Sequence, residues 1–129
     1  MALKLSIFTT VYKAKERQEL YDEAIACYKD LADEVIQVDD EWPEEFNWPL
    51  IGEMFQKGYS RCTGDYVIHA DLDYIFHEND HQKIRDLMET GDNYNFWKYQ
   101  IYTPDRYTLK SRIPIMVNKA RYGDRIKFN

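Results

Sequence analysis

Cysteine is scarce in this chain, basic residues do not outnumber acidic ones, and no apolar run is long. The two cysteines, Cys27 and Cys62, match no metal-ligand or redox spacing, so a reduced, cytoplasmic setting is the simplest expectation. The net charge of −6 argues against a nucleic-acid-binding surface, which requires a basic patch. No apolar run approaches the ~20 residues of a membrane-spanning helix. We therefore expect a soluble protein with no nucleic-acid partner and no membrane span.

The length of 129 residues and the spacing of apolar residues predict one α/β domain over residues 1–129. Three strands (3–10, 34–38 and the apolar part of 64–73) alternate with three amphipathic helices (15–32, 47–64 and 79–91). Further strands are predicted at 97–101 and 113–117, with a turn at 103–106 between them. This order predicts a mostly parallel central sheet flanked by helices, with antiparallel strands at the C-terminus.

Two carboxylates follow the third predicted strand. Asp71 and Asp73 are one residue apart, and alternate side chains of a strand point to the same side. A pair of such hard oxygen ligands can hold Mg²⁺ or Mn²⁺, which binds through one or two carboxylates together with substrate phosphates. An Asp-x-Asp pattern is expected about once by chance in a chain of this length and composition. Its meaning therefore depends on the residues around it.

Polar side chains also follow the other two strands of the predicted sheet. Thr9 and Thr10 end the first strand, with Tyr12 just beyond, and Asp39 and Asp40 end the second. Ligands of an open α/β sheet bind outside the carboxyl ends of its strands, so these groups and the Asp-x-Asp pair should converge on one crevice. Each piece also has a simpler interpretation, as the end of a strand, a solvated turn or a cap for the next loop.

Three blocks of sequence resemble the nucleotide-binding half of a known enzyme family. Residues 6–13 (SIFTTVYK) resemble the opening strand of nucleotide-sugar glycosyltransferases of the GT-A fold, of the family-2 type. Residues 35–40 (VIQVDD) resemble their second strand with its acidic pair, and residues 62–73 (CTGDYVIHADLD) resemble the segment that carries their Asp-x-Asp motif. The resemblance covers about residues 3–90 and leaves residues 91–129 as a reduced C-terminal region.

The resemblance implies a metal-dependent glycosyltransferase whose donor is a nucleotide-diphosphate sugar, with uracil as the expected base. Thr10 and Tyr12 would lie beside the base and the ribose, together with Thr9 at the end of the same strand. Asp40, and with it Asp39, would accept hydrogen bonds from the base. The expected partners are the UDP-sugar donor and an acceptor that the sequence does not identify.

The resemblance also assigns the metal ligands. Asp73 would bind Mn²⁺ or Mg²⁺ directly, and Asp71 would contact the ribose or reach the metal through water. Such a cation stabilises the charge that develops on the departing nucleoside diphosphate. His77 and His81 flank the loop after the motif and are further candidate ligands, although a surface position is the more ordinary expectation for His81. His69, inside the strand, is expected to be packed or hydrogen-bonded rather than a ligand.

The chain departs from the family pattern in two regions. Residues 41–43 (EWP) stand where the family has Gly-Ser after the second acidic pair. Inverting members also carry a catalytic carboxylate far downstream of the metal motif, but here only 56 residues follow that motif (129 − 73). The carboxylates left in the reduced C-terminal region are Asp92, Asp105 and Asp124, and surface positions are expected for Asp105 and Asp124. Asp105, in a predicted turn, is kept as the candidate base, and the catalytic residue is otherwise unassigned.

Two other functions fit the same sequence. A nucleotide-sugar-binding module without transferase activity of its own would also lack an acceptor-binding half and would need a partner chain. A homodimer is a further possible assembly, because the chain has many aromatic residues that could form a patch covered by a second copy. A haloacid-dehalogenase-like phosphotransferase has a similar apolar strand that ends in Asp-x-Asp. That family places the motif on its first strand and follows it with Gly-Thr, where this chain has Tyr74 and Ile75.

Overall fold

The computed structural model describes residues 3–11, 21–38, 48–72, 74–96, 98–103, 106–110 and 115–128. Five of the predicted site residues lie outside the described residues: Tyr12, Asp39, Asp40, Asp73 and Asp105. The predictions made for them stay predictions.

Seven strands and four α-helices are present in the described ranges. The strands are β1 (Leu5–Thr10), β2 (Glu34–Val38), β3 (Tyr66–His69), β4 (Asn93–Asn95), β5 (Lys98–Thr103), β6 (Arg106–Lys110) and β7 (Ile115–Asn118). The helices are α1 (Tyr21–Leu31), α2 (Trp48–Arg61), α3 (His81–Leu87) and α4 (Lys119–Tyr122), with one-turn 3₁₀ helices at Glu78–Asp80 and Gly123–Arg125. None of the helices in these ranges has the length and apolar character needed to cross a membrane.

Five strands form one mixed sheet in the order β2-β1-β3-β7-β4, and β5 and β6 form a separate antiparallel pair. Strand β1 pairs in parallel with β2 on one side and with β3 on the other. Strand β7 pairs antiparallel with both β3 and β4. The predicted α/β class with antiparallel C-terminal strands is confirmed, but the sheet is mixed and not mostly parallel, because parallel pairing within the described residues is confined to β1, β2 and β3. In this order β2 lies on one side of β1 and β3 on the other, so the direction in which successive strands are added to the sheet reverses between β1 and β3.

The core has two layers because side chains alternate between the two faces of the sheet. On one face Leu5, Ile7 and Ile68 pack with Tyr28 of α1 and Ile84 of α3, all of them buried. On the other face a smaller cluster packs against α2 and contains Phe8, Val67, Val117, Tyr59 and Cys62. The sheet is therefore covered on both faces, as expected where parallel strands are joined by helices.

Helix α2 runs antiparallel to β1 and β3. Its C-terminal end lies at the amino ends of the strands, where the Gly64 N–H donates to Ser6 Oγ at 2.9 Å. A Cβ at position 64 would lie 2.6 Å from that oxygen, so this close approach requires glycine. Phe55, in the middle of α2, packs on His69 at the carboxyl end of β3, with ring centroids 4.3 Å apart. The residues of α2 that precede Phe55 therefore lie on the side of the carboxyl ends.

Candidate functional site

The predicted site residues that the structure describes on the sheet lie at the carboxyl ends of β1 and β3. Thr10 is the last residue of β1, and Asp71 follows His69, the last residue of β3, by two positions. The parallel register aligns Phe8 with His69, and the Ala70 N–H extends the pairing by donating to the Phe8 carbonyl at 3.1 Å. The chain order reverses between these two strands, and that is where open α/β sheets bind ligands.

Thr9 and Thr10 differ in their surroundings. Thr10 is half-buried, whereas Thr9 is fully buried. The Thr9 hydroxyl has no hydrogen-bond partner among the described residues. Because a buried hydroxyl without a partner costs about 1–3 kcal/mol, such atoms are rare in native proteins and need an explanation. At Thr9 the unsatisfied hydroxyl lies at the carboxyl end of β1, where the sequence predicts ligand contact.

Asp71 is accessible, and its main chain is held in a turn. Its side chain is 41% exposed, and Oδ1 lies 3.5 Å from His69 Nε2. The Tyr74 N–H donates to the Asp71 carbonyl at 2.9 Å. The hydroxyl of Tyr28 donates to the same carbonyl and lies 2.7 Å from the carbonyl oxygen of Tyr74. Helix α1 thus holds the main chain on both sides of position 73.

His69 is enclosed by aromatic rings. Phe8 stacks on the imidazole with centroids 4.7 Å apart and an interplanar angle of 7°, and Phe55 and Phe128 contact it at 4.3 and 5.9 Å. The ring is 4% exposed, and its Nε2 has no hydrogen-bond partner among the residues that the structure describes. The predicted packing of His69 is confirmed. Its enclosure by Phe128 is not visible in the sequence, because Phe128 lies far along the chain.

His77 and His81 are engaged in local structure. The Asn79 N–H donates to His77 Nδ1 at 3.1 Å, which caps the one-turn 3₁₀ helix. The surface position expected for His81 is wrong, because α3 packs against α1 and leaves that residue 8% exposed. Its Nδ1 lies 2.7 Å from Asp30 Oδ2 and its Nε2 lies 3.0 Å from the Phe76 carbonyl oxygen. Both ring nitrogens of His81 thus take part in the contact between these helices.

The two thiols are poor nucleophiles. Cys27 Sγ lies 3.7 Å from His81 Nε2, with Asp30 on the other side of the imidazole, an order reminiscent of a catalytic triad. However, burial raises the pKa of the Cys27 thiol, and the Asp30 carboxylate raises it further. Burial also raises the pKa of Cys62 to about 12. Both side chains therefore stay protonated near neutral pH, whereas nucleophilic cysteines require a lowered pKa.

Within the described ranges, no group of three or more His, Cys, Asp or Glu side chains could hold a metal ion. A dedicated all-protein site is therefore absent from that part of the chain. Mg²⁺ and Mn²⁺ need fewer protein ligands, because they keep several waters and bind through one or two carboxylates plus substrate phosphates. An accessible carboxylate at Asp71, next to an unsatisfied buried nitrogen, fits a cation that is shared with a phosphate ligand.

No protein-family model matches the chain, and no curated protein matches it. The assignment of a function therefore depends on the geometry at this edge of the sheet and on the short blocks of sequence that follow its strands.

Proposed function

We propose that the protein is a metal-dependent glycosyltransferase that uses a UDP-sugar donor with Mn²⁺ or Mg²⁺. One observation carries the proposal: parallel pairing brings the carboxyl ends of β1 and β3 together where the chain order reverses, with Thr10 at one end and Asp71 near the other. Ligands of α/β sheets bind at such points. The sequence blocks that resemble the GT-A family end at these same strand ends.

The proposed roles follow the position of each residue. Thr10 and Tyr12 contact the nucleoside, while Thr9, which is fully buried, lies at the same strand end. Asp39 and Asp40, which follow β2 in the sequence, accept hydrogen bonds from the uracil. These contacts position the nucleotide, while its phosphates reach the carboxylates after β3.

Asp71 and Asp73 hold the cation in this proposal. When bound, the cation neutralises the charge of the departing UDP, which is the main electrostatic requirement of sugar transfer. The turn that begins at Asp71 is held by Tyr28, so the main chain at Asp71 and Tyr74 needs little reorganisation when the ligand arrives.

The contacts of the described carboxylates narrow the choice of catalytic base. Asp92 accepts hydrogen bonds from Asn118 Nδ2 at 3.0 Å and from Tyr122 and Arg121, and the Asn118 contact holds its pKa below the ordinary value. These hydrogen bonds join the residue before β4 to the end of β7 and to α4, so the Asp92 carboxylate has a structural role and is not available as a base. Asp124 is exposed in the C-terminal 3₁₀ turn. Asp105 remains the candidate base.

An assay of UDP release tests the proposal. The protein is incubated with Mn²⁺, a set of UDP-sugars and a panel of sugar and lipid acceptors. Asp73→Ala should lower the rate of transfer by about 100-fold or more, since it removes stabilisation of the leaving group. Glu89→Ala, which removes an exposed carboxylate just beyond α3, should leave the rate unchanged.

Other outcomes contradict the proposal in distinct ways. UDP-sugar binding without transfer to any acceptor would favour a binding module that needs a partner chain. Hydrolysis of a simple aryl phosphate that depends on Asp71, without turnover of any UDP-sugar, would favour the phosphotransferase interpretation.

A further inference from the structure

His69 carries a buried ring nitrogen that is unsatisfied and adjacent to the proposed site. Its Nε2 has no hydrogen-bond partner among the described residues, and Asp71 Oδ1 is 3.5 Å away. A charge-assisted N–H···O⁻ bond is about 2.7–2.9 Å long. The two groups therefore need to approach each other by only about 0.7 Å to form one.

The position of the imidazole is fixed by what surrounds it. Phe8 stacks on one face of the ring, Phe55 packs at a tilt, and Phe128 meets it nearly edge-on, with an interplanar angle of 85°. Phe128 is itself held because Gln56 of α2 accepts from the Phe128 N–H at 3.0 Å. These rings leave Nε2 near Asp71 and leave the histidine too buried to take a ligand from solvent.

A purely apolar side chain at position 69 would fill the same space without leaving a buried nitrogen unpaired. Leaving a buried polar atom unpaired costs about 1–3 kcal/mol, so a phenylalanine at position 69 would serve the core better. The imidazole is therefore explained more readily by what it does to Asp71 than by packing. Ligating carboxylates are commonly oriented by hydrogen bonds from residues that do not touch the metal.

We propose that His69 is a positioning residue for Asp71. Its Nε2–H donates to Asp71 Oδ1 when the cation and the nucleotide bind, and this bond fixes the orientation of the Asp71 carboxylate toward them. The inference rests on the proposed nucleotide site, and it assigns a role to a residue that contacts neither nucleotide nor metal.

Two substitutions at position 69 separate orientation from packing. His69→Phe keeps an aromatic ring among Phe8, Phe55 and Phe128 but removes the donor, and His69→Gln retains an N–H donor. With saturating UDP, the affinity for Mn²⁺ is measured from the electron paramagnetic resonance signal of the free ion. His69→Phe should weaken Mn²⁺ binding by about 10-fold or more while the melting temperature is maintained, and His69→Gln should recover most of the affinity.

A measurement on the unmodified protein covers the case in which a variant fails to fold. In the presence of Mg²⁺ and UDP, the His69 Nε2 proton should give a downfield NMR signal that exchanges slowly with water. Absence of that signal, or wild-type Mn²⁺ affinity in His69→Phe, would overturn the role of His69 while leaving the nucleotide site intact. Failure of the wild-type protein to bind Mn²⁺ with UDP would instead overturn the proposed function itself.

Discussion

The hydroxyl of Tyr28 donates a hydrogen bond to the main-chain carbonyl of Asp71, 43 residues further along the chain. The same hydroxyl oxygen lies 2.7 Å from the carbonyl oxygen of Tyr74, which closes the turn with its own N–H. One side chain from α1 therefore holds both ends of the turn that follows β3. Asp71 begins this turn, and Asp73 falls within its sequence. The proposed cation site therefore depends on Tyr28, which is not one of the proposed metal ligands.

Replacing Tyr28 with phenylalanine should weaken nucleotide binding as well as stability. Loss of the hydroxyl removes the bonds to the turn, and we expect the free energy of unfolding to fall by about 1–2 kcal/mol. UDP affinity in the presence of Mn²⁺ should fall by about 10-fold, since the main chain at Asp71 then requires ordering on binding. Urea denaturation and calorimetry measure the two effects.

Tyr66→Phe is the matched control for this change. The Tyr66 hydroxyl donates to the Gly91 carbonyl, in the loop that precedes β4, so its removal should lower stability without changing UDP affinity. Equal UDP affinities in Tyr28→Phe and Tyr66→Phe would contradict the role given to Tyr28.

Thr9→Val should stabilise the protein in the absence of ligand. Valine has nearly the same shape and removes a fully buried hydroxyl that lacks a partner among the described residues. The free energy of unfolding should rise by about 1 kcal/mol. Thr9→Ser, which keeps the hydroxyl and loses the methyl group, should instead lower it by about 1 kcal/mol. Destabilisation by Thr9→Val would mean that the hydroxyl is hydrogen-bonded in the folded protein.

Glu34 should make stability depend on pH in the acid range. Burial opposes its ionised form, but hydrogen bonds from the Thr63 N–H at 2.8 Å and Ser6 Oγ at 2.7 Å, with the Lys4 ammonium at 3.6 Å, outweigh that effect. These contacts hold the pKa of Glu34 below its ordinary value of 4.5. The unfolded chain thus takes up the proton at a higher pH than the folded protein, so the stabilisation is complete above 4.5 and declines as the pH falls through the folded-state pKa.

Glu34→Gln measures this contribution. Near neutral pH it should lower the free energy of unfolding by about 1–2 kcal/mol, and the difference from wild type should shrink as the pH falls below 4.5. Glu89→Gln, which changes an exposed carboxylate just beyond α3, is measured in parallel as a control for the substitution itself. A difference between Glu34→Gln and wild type that is constant across this pH range would contradict the lowered pKa.

The elements around the proposed site are those that the sequence predicts best. Strand β2 has the predicted bounds, and α2 begins at Trp48 with Pro49 in its first turn, because apolar spacing and helix-start signals are local properties. The third predicted helix is accurate at its start only. Helix α3 begins at His81 directly after Asp80, one of the two predicted caps, but it ends at Leu87 and not at the predicted Gly91.

Features that depend on distant partners could not be predicted. Strand β4 consists of two asparagines and a tyrosine, and it forms because these residues pair with β7. Tyr94, for example, is aligned with Met116. The burial of His81 depends on Asp30, and the turn at Asp71 depends on Tyr28. Helical periodicity predicts that Tyr28 is buried, but it carries no information about the carbonyl groups that its hydroxyl meets.

Calorimetric titration of UDP into the protein, with and without Mn²⁺, tests the central claim most directly. Wild-type protein should bind UDP only when Mn²⁺ is present, and Asp73→Ala should abolish that binding while Glu89→Ala retains it. Absence of UDP binding to the wild-type protein in both conditions would contradict the nucleotide-sugar site and leave Asp71 and Asp73 as a chance pair at the end of a strand.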